Sequence, residues 1–384
     1  MKNTMKPRLR FSEFDELISH LKLNELVKFK SGGTPPISNK SYWGGPLPWI
    51  SASSMIGKYY ISSDRTITEI GLKNGSKLAK KGSLLILVRG SMLYNKVPVG
   101  IAGKDVAFNQ DLKALIPNDR INNEFLYQWF SAKQHFLLNK VSGTGIGAGK
   151  LDTDQLKSLK LFVPSKEEQQ KIADFFSSID HKIQQLRRKK ELMEEYKKGV
   201  MQKLFSQEIR FKDENGKNFA DWESKRLEEI LDINYGKDYK DLGEGDIPLI
   251  GTGGIMGYVD DFLYNKPSVL IGRKGTIDKP QYIEEPFWTV DTLFYTKVSE
   301  SVDPYFAYLL VSRINLLKYN EASGVPSLSV RSLNSIKVKL PNSFKEQLRI
   351  AKFVKNIDEK ISHIKGKIEL TQTFKKGLLQ QMFV

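Results

Sequence analysis

Residues 168–183 read EQQKIADFFSSIDHKI, and residues 346–361 read EQLRIAKFVKNIDEKI. The register holds without a gap out to YKKGVMQKLF at 196–205 and FKKGLLQQMF at 374–383. Self-similarity of this length marks a duplicated unit and has to be settled before any element is assigned. Upstream, LDTDQLKSLKLFVP (151–164) answers LSVRSLNSIKVKLP (328–341), strand-like runs that end in Pro both times. Weaker echoes link GSLLILVRGS (82–91) to PSVLIGRKGT (267–276), PLPWISAS (46–53) to DIPLIGTG (246–253), and LRF at 9–11 to IRF at 209–211. The chain reads as two copies of one unit, a variable globular segment followed by a more constant helix.

Periodicity makes the constant part helical. Ile172, Phe176, Ile179, Ile183 and Leu186, and then Ile350, Val354, Ile357, Ile361, Ile364 and Ile368, fall at alternating steps of four and three, the seam of a coiled coil. Pro164 and Pro341 stand before the helices, where proline is tolerated, and no proline lies inside them. Lys197 and Lys375 interrupt the seam, and the apolar stripe is expected to drift onto Leu192, Tyr196 and Val200, or Leu370, Phe374 and Leu378. Gly199 and Gly377, late in each helix, predict a close backbone approach or a bend. The 38 aligned residues of each copy give a rod of about 57 Å at the helical rise. Two arrangements stand open: each helix packed on its own globular segment, or the two helices packed on each other. The second is preferred. Antiparallel packing would set the globular segments at opposite ends about an approximate twofold, a geometry suited to a bipartite site on a duplex.

Composition narrows the function. A formal charge of +16 points to an anionic partner, nucleic acid first and an acidic protein surface second. Residues 1–163 hold 24 Lys and Arg against 12 Asp and Glu, whereas residues 211–341 hold 16 against 20. If both segments bind the same polyanion, the second must do so through a local basic patch. The chain has no cysteine, which removes disulfides, thiolate metal sites and cysteine nucleophiles and suits a reducing cytoplasm. The start MKNTMKPRLR leads into FSEFDELISH rather than a secretory apolar run, and no stretch approaches membrane-spanning length.

The variable segments alternate short apolar runs with Gly, Ser, Thr and Asn, which predicts β-rich α/β (α+β) domains with substantial loops. LPWISASS, GSLLILVRGS and DLKALIP read as strands in the first copy, with a helical run at 123–141. IPLIGTGG, PSVLIGRKG and DTLFYTK read as strands in the second, with a helical run at 304–318. Loop Arg, Lys, Asn and Gln suit phosphates and base edges, small residues permit close approach, and aromatics stack. Candidate DNA contacts are Ser31, Gly32, Gly33, Thr34, Tyr42, Arg89, Tyr94, Asn95, Lys96 and the stretch from Ser142 to Lys150, including Thr144 and Lys150. In the second copy they are Tyr235, Lys237, Tyr239, Lys240, Arg273, Lys274, Lys279, Gln281 and Arg331.

Enzymatic signatures fail. GTGIGAGK at 143–150 lacks the first P-loop glycine, since Thr144 stands there, and Leu151 occupies the place of the magnesium-binding Ser or Thr. The dinucleotide pattern fits Gly143, Gly145 and Ala148, but a helical run precedes it where a strand is required. TPPI at 34–37 differs at both ends from the Asn-Pro-Pro-aromatic loop of adenine methyltransferases. His20, His135, His181 and His363 lack metal spacing. No acidic pair with a trailing Lys occurs in both copies, as a duplicated nuclease would require. Metal and catalytic residues are therefore expected to be absent.

Two variable domains alternating with two helices of the form (E)Q-x-x-I-A-x-F-x-x-x-I-D-x-K-I, each closing in K-K-G-x-x-Q-x-x-F, resemble the specificity subunit of type I restriction-modification systems. The resemblance covers the whole chain. It implies target recognition domains at 1–163 and 211–341, each reading one half of a split double-stranded DNA sequence. It also implies spacer helices at 164–210 and 342–384 that set the unread gap and dock two methyltransferase subunits. Those partners would carry S-adenosylmethionine, motor-nuclease subunits would join for cleavage, and this cytoplasmic chain would bind no cofactor itself. Two other classes stay open: a nuclease or methyltransferase with an unrecognised site, and a coiled-coil scaffold with protein partners only.

Overall fold

The repeated motif folds as two uninterrupted helices, Lys166–Phe205 and Phe344–Met382, of 40 and 39 residues, in a computed structural model that describes residues 7–16, 18–145 and 147–383. The chain divides inside both helices. One unit comprises the residues up to Arg187 together with those from Gly366 on, and the other comprises Arg188–Lys365. Each unit therefore holds one globular segment, the first half of its own helix and the last half of the other copy's helix.

In the first unit a five-stranded sheet runs in the order Val27–Ser31, Leu112–Pro117, Leu84–Leu87, Val99–Ala102 and Tyr59–Tyr60. Leu84, Leu85, Ile86 and Leu87 are all buried, so this unbroken apolar run forms a central strand covered on both faces. A four-stranded sheet orders Thr66–Ile67, Trp43–Ile50, Val106–Phe108 and Lys77–Ala79. The helical run at 123–141 becomes Asn123–Ala132 and Gln134–Leu138, and Asn122 caps the first by accepting from the Glu124 and Phe125 amides. The second unit keeps the plan with fewer strands. Its four-stranded sheet orders Leu231–Tyr235, Leu293–Val298, Ser268–Gly272 and Gln281–Ile283, and its three-stranded sheet orders Gly254–Val259, Ile247–Gly251 and Trp288–Thr289. Asp303 caps the helix Pro304–Val311, whose proline occupies the first turn.

The runs before each long helix are more than strands. Thr153–Lys157 and Val330–Asn334 are short helices, capped by Asp152 and Ser329, and only then do Lys160–Val163 and Lys337–Leu340 extend. Each strand pairs with the entry strand of its unit, Ser19–Lys22 or Glu223–Arg226.

The motif residues hold the same contacts in both copies. Arg10 grips Glu168 with two hydrogen bonds, 2.8 and 2.6 Å, and Arg210 grips Glu346. Glu168 and Glu346 are each about 1 % exposed, so each buried carboxylate is held by a paired guanidinium fork. Gln169 donates to the Pro164 carbonyl and accepts from the Asn122 amide, while Gln347 donates to Pro341 and accepts from Asp303. Phe11 meets Phe175 edge to face, as Phe211 meets Phe353. The Asp contacts are exchanged between copies: Lys375 reaches Asp180 at 2.5 Å in the first unit, and Lys197 reaches Asp358 at 2.6 Å in the second.

Each unit thus contains an antiparallel helix contact. In the first, Phe383 packs near Phe176 while Lys375, eight positions earlier, meets Asp180, four positions later. In the second, Met201 and Leu204 join the core that holds Ile350, Ala351 and Val354, while Lys197 meets Asp358. The seam also serves as domain core: Ile172, Phe176, Ile179 and Ile183 lie in the first unit's main cluster with Leu379, Met382 and Phe383. Of the seam residues Ile172, Phe176, Ile179, Ile183, Leu186, Ile350, Val354, Ile357, Ile361, Ile364 and Ile368, all are buried except the half-buried Ile361.

Two sequence expectations are corrected. The stripe does not drift onto Leu192, Tyr196, Leu370 and Phe374, which are 48, 51, 72 and 58 % exposed. Lys197 and Lys375 stay in the seam because an aspartate neutralises each ammonium, and burial resumes at Met201 and Leu204 or Leu379 and Met382. The two late glycines allow no close approach either: a Cβ on Gly199 or Gly377 would meet nothing within 4 Å. Nothing in the structure accounts for them.

Candidate nucleic-acid interface

GTGIGAGK forms a hairpin rather than a phosphate loop. Val141–Gly143 and Gly149–Leu151 pair antiparallel, and Arg89–Gly90 adds a third strand. The tip closes through Thr144, whose amide and hydroxyl both donate to the Ala148 carbonyl, with Gly145 and Gly147 at φ +77°. Ile146, within the candidate stretch, lies outside the described residues. Directly paired residues share a face, so Ser142, Lys150 and Arg89 form one cross-strand row, and all three are exposed. The opposite face rests on the 3-10 turn Ser91–Tyr94: a Cβ on Gly149 would lie 2.9 Å from Leu93 and from Val141.

Nearby, the Thr34 hydroxyl donates to Gln110 at 2.6 Å and Lys113 donates to the Ser31 hydroxyl at 2.6 Å. Burial, with Lys157 adding, pushes the Lys113 pKa down. Gly32 must be glycine, since a Cβ would sit 2.0 Å from the Asn109 carbonyl oxygen. Gly33 receives the Trp49 indole on its carbonyl. Tyr94 is exposed and Asn95 follows it as the C-cap of its turn. Lys96 lines a groove with Tyr59, Tyr127, Arg187 and Lys376. Tyr42 ends the turn Lys40–Tyr42, and its carbonyl accepts from the Thr68 amide.

In the second unit the Arg273 guanidinium lies 5.3 Å from the Tyr235 ring centroid and donates to the Asp291 carbonyl. Lys274 bridges to Ser327 and remains exposed. Lys237 is anchored by its backbone, which donates to Thr289 and accepts from the Trp288 indole. Tyr239 and Lys240 are ordered by Asp238, whose carboxylate accepts from both amides. The Gln281 amide donates to the Gly251 carbonyl, a contact internal to the unit. Lys279 is exposed in a loop, and Arg331 is exposed on the short helix Val330–Asn334.

The residues missed by sequence reading are those that only folding brings in: Asp111 and Thr292 behind the two basic junctions, Asp291 beneath Arg273, and the two indoles. Among the described residues no three His, Cys, Asp or Glu side chains are grouped to hold a metal, and no helix is long and apolar enough to cross a membrane.

These features define a duplicated α/β protein in which two related units, each tied to both long helices, carry different basic loop clusters. The chain belongs to the type I restriction-modification specificity family: the family model described as "Type I restriction modification DNA specificity domain" matches residues 18–195 and 220–372. Among curated relatives, the MjaVIII specificity subunit of Methanocaldococcus jannaschii is 25 % identical over 94 % of this chain and 90 % of its own length. The MjaIX specificity subunit of the same organism is 31 % identical over 56 % of this chain and 52 % of its own length, so the match spans about half of that relative. The EcoR124I/EcoR124II specificity subunit of Escherichia coli is 32 % identical over 41 % of this chain and 40 % of its own length. The crystal structure of a type I restriction-modification S subunit from M. genitalium has the same fold, with a TM-score of 0.68 and 21 % identity over 99 % of each chain.

Proposed function

We propose that this chain is the DNA-reading subunit of a type I restriction-modification complex, with each globular segment reading one half of a bipartite duplex target. The segments 1–163 and 211–341 act as target recognition domains, and the helical stretches 164–210 and 342–384 pair antiparallel as a coiled coil that fixes the unread gap. The observation that carries this reading is the exchanged ion pair, Lys375 with Asp180 and Lys197 with Asp358. One contact made twice, with donor and acceptor drawn from opposite copies, is what an antiparallel pairing of two related helices produces.

Two methyltransferase subunits dock on the helices. The exposed pairs Leu192 with Tyr196 and Leu370 with Phe374 occur once per copy, and apolar side chains exposed at matching positions of both helices suit two identical partners. S-adenosylmethionine and the adenine chemistry belong to those partners, and motor-nuclease subunits join them for cleavage. The test is co-expression with the methyltransferase subunit, followed by mapping of modified adenines. A few residues inserted at the middle of both long helices are expected to change the gap and leave both half-sites intact. An unchanged gap removes the spacer role.

A further inference from the structure

The backbone around the two basic clusters is the same in both units, contact for contact. The Val88 and Arg89 amides donate to the Asp111 carbonyl at 2.8 and 3.3 Å, and the Arg273 and Lys274 amides donate to the Thr292 carbonyl at 2.8 and 3.2 Å. The Leu151 amide donates to Val88 and the Leu328 amide to Arg273, both at 2.9 Å. Lys150 faces Arg89 across the ladder as Ser327 faces Lys274. Gly33 donates to Phe108 as Lys237 donates to Thr289, again at 2.9 Å. Gly32 and Gly236 pass the next carbonyl so closely that a Cβ would lie 2.0 or 2.1 Å from it.

On this common frame the side chains differ: Ser31 against Tyr235, Gly33 against Lys237, Arg89 against Lys274, Asp111 against Thr292 and Lys150 against Ser327, while Val88, a buried core residue, is replaced by the half-buried Arg273. A site kept for stability would repeat its side chains, as the helix contacts do. A frame that repeats only its backbone while varying its polar tips is built to hold readers. We propose that this junction is the base-reading edge of each recognition domain, with Arg89 on its ribbon and Arg273 on its tyrosine each taking a guanine in the major groove. The proposal rests on the DNA-reading role assigned above and locates it.

The chemistry of the two heads fits that role. The roughly 12 Å major groove admits a β-ribbon, and the exposed row Ser142, Lys150 and Arg89, which runs across the hairpin and onto its third strand, supplies the polar face that must meet base edges. Arginine's planar fork matches guanine O6 and N7 in a fixed geometry, whereas a lysine ammonium reaches the same atoms without that fixed plane. Tyr235 fixes the plane of the Arg273 fork in advance, and the single bond to Asp291 leaves the remaining guanidinium hydrogens to the ligand. Because Arg273 corresponds to Val88 and Lys274 to Arg89, the two arginines leave the frame one residue apart. The guanine is then set differently against the edge of each half-site.

Modified-adenine mapping with the full chain and its methyltransferase subunit tests this. A wild-type chain that directs no bipartite modification overturns the DNA-reading role itself, whatever the variants do. Given a bipartite wild-type motif, Arg89→Ala is expected to relax one position of one half-site roughly ten- to hundredfold. Arg273→Ala is expected to do the same in the other half-site. Lys104→Ala and Lys266→Ala, exposed lysines away from the junction, should leave the motif unchanged. An unchanged motif in Arg89→Ala and Arg273→Ala, or relaxation of the same half by both, overturns the assignment. Arg89→Lys and Arg273→Lys keep the charge, so full discrimination by either would exclude fork recognition. Where a variant modifies nothing, the purified complex is titrated on target and scrambled duplex across a salt series. Loss of preference for the target at an unchanged salt slope supports base reading. Equal loss on both duplexes with a slope smaller by about one marks a phosphate contact and overturns it.

Discussion

Asp180 in the first unit and Asp358 in the second each receive a lysine from the closing motif of the other copy, yet their remaining partners differ. Asp180 also accepts from Gln128 at 3.2 Å and lies 3.7 Å from Lys58, whereas Asp358 accepts from the Tyr305 hydroxyl at 2.5 Å. The same division holds throughout. Residues that attach a globular segment to the helices repeat, and residues that fill the space around the attachment are remade in each unit. Duplication has preserved the joints and let the side chains around them diverge.

The largest effect is expected where a joint is also core. Phe383 is buried against Phe125 and Phe176, and Phe383→Ala should cost the first unit about 3–5 kcal/mol. Phe205, its counterpart, is only half-buried against Trp222 and Phe306, so Phe205→Ala should cost the second unit less. Hydrogen exchange resolved by unit under mild denaturant checks both values. An equal loss in the two units would break the comparison.

Next come the buried carboxylates. Glu346→Ala leaves Arg210 with the Ala220 carbonyl and the exposed Asp221 and deprives the Trp222 indole of its acceptor, a loss of about 3 kcal/mol for a buried pair broken on one side. Glu168→Ala should cost nearly as much, because Arg10 grips it equally. Urea midpoints of the single variants and of the corresponding arginine-alanine doubles give the coupling energies. A double no more stable than its glutamate single would show that the stranded arginine is not the cause.

Smaller and opposite in rank are the exchanged lysines. Lys197→Met leaves Asp358 with the tyrosine alone, while Lys375→Met leaves Asp180 with Lys58 and Gln128. The second unit should lose about 1–2 kcal/mol and the first about half of that, read from the same unit-resolved exchange.

The smallest effect concerns Asp303, whose burial holds its carboxyl above the usual carboxylate range. A raised pKa in the folded chain contributes stability at pH values below the unfolded pKa, and that contribution is lost as the pH rises through the folded value. Asp303→Asn keeps an oxygen for the Phe306 amide and removes the buried charge. It should raise the melting temperature of the second unit slightly at neutral pH, with the gain vanishing toward pH 3. A gain that grows on acidification would reverse the sign and the cause.

Much of this was legible in the sequence, for identifiable reasons. The helices and their register follow from gap-free repetition, and the central strands LLIL and SVLIG follow from unbroken apolar runs. The exchanged ion pairs were not legible, because a lysine in an apolar seam looks like an interruption until its aspartate, in the other copy, is brought to it. The partners of Glu168 and Glu346 are half visible: LRF and IRF repeat, but nothing local ties an arginine to a glutamate more than 130 residues away. GTGIGAGK fails as a phosphate loop on its spacing alone, but its glycines do not announce the hairpin whose tip they close. The common frame around Arg89 and Arg273 is carried by backbone bonds, which leave no trace in side-chain identity.

The burial of Phe383 sets an order of events on the ribosome. The second unit has all of its residues once Lys365 has emerged, while the first waits for the aromatic ring at position 383. The half of the polypeptide that is translated first is therefore finished last, and until then its apolar gap is open to solvent and to chaperones.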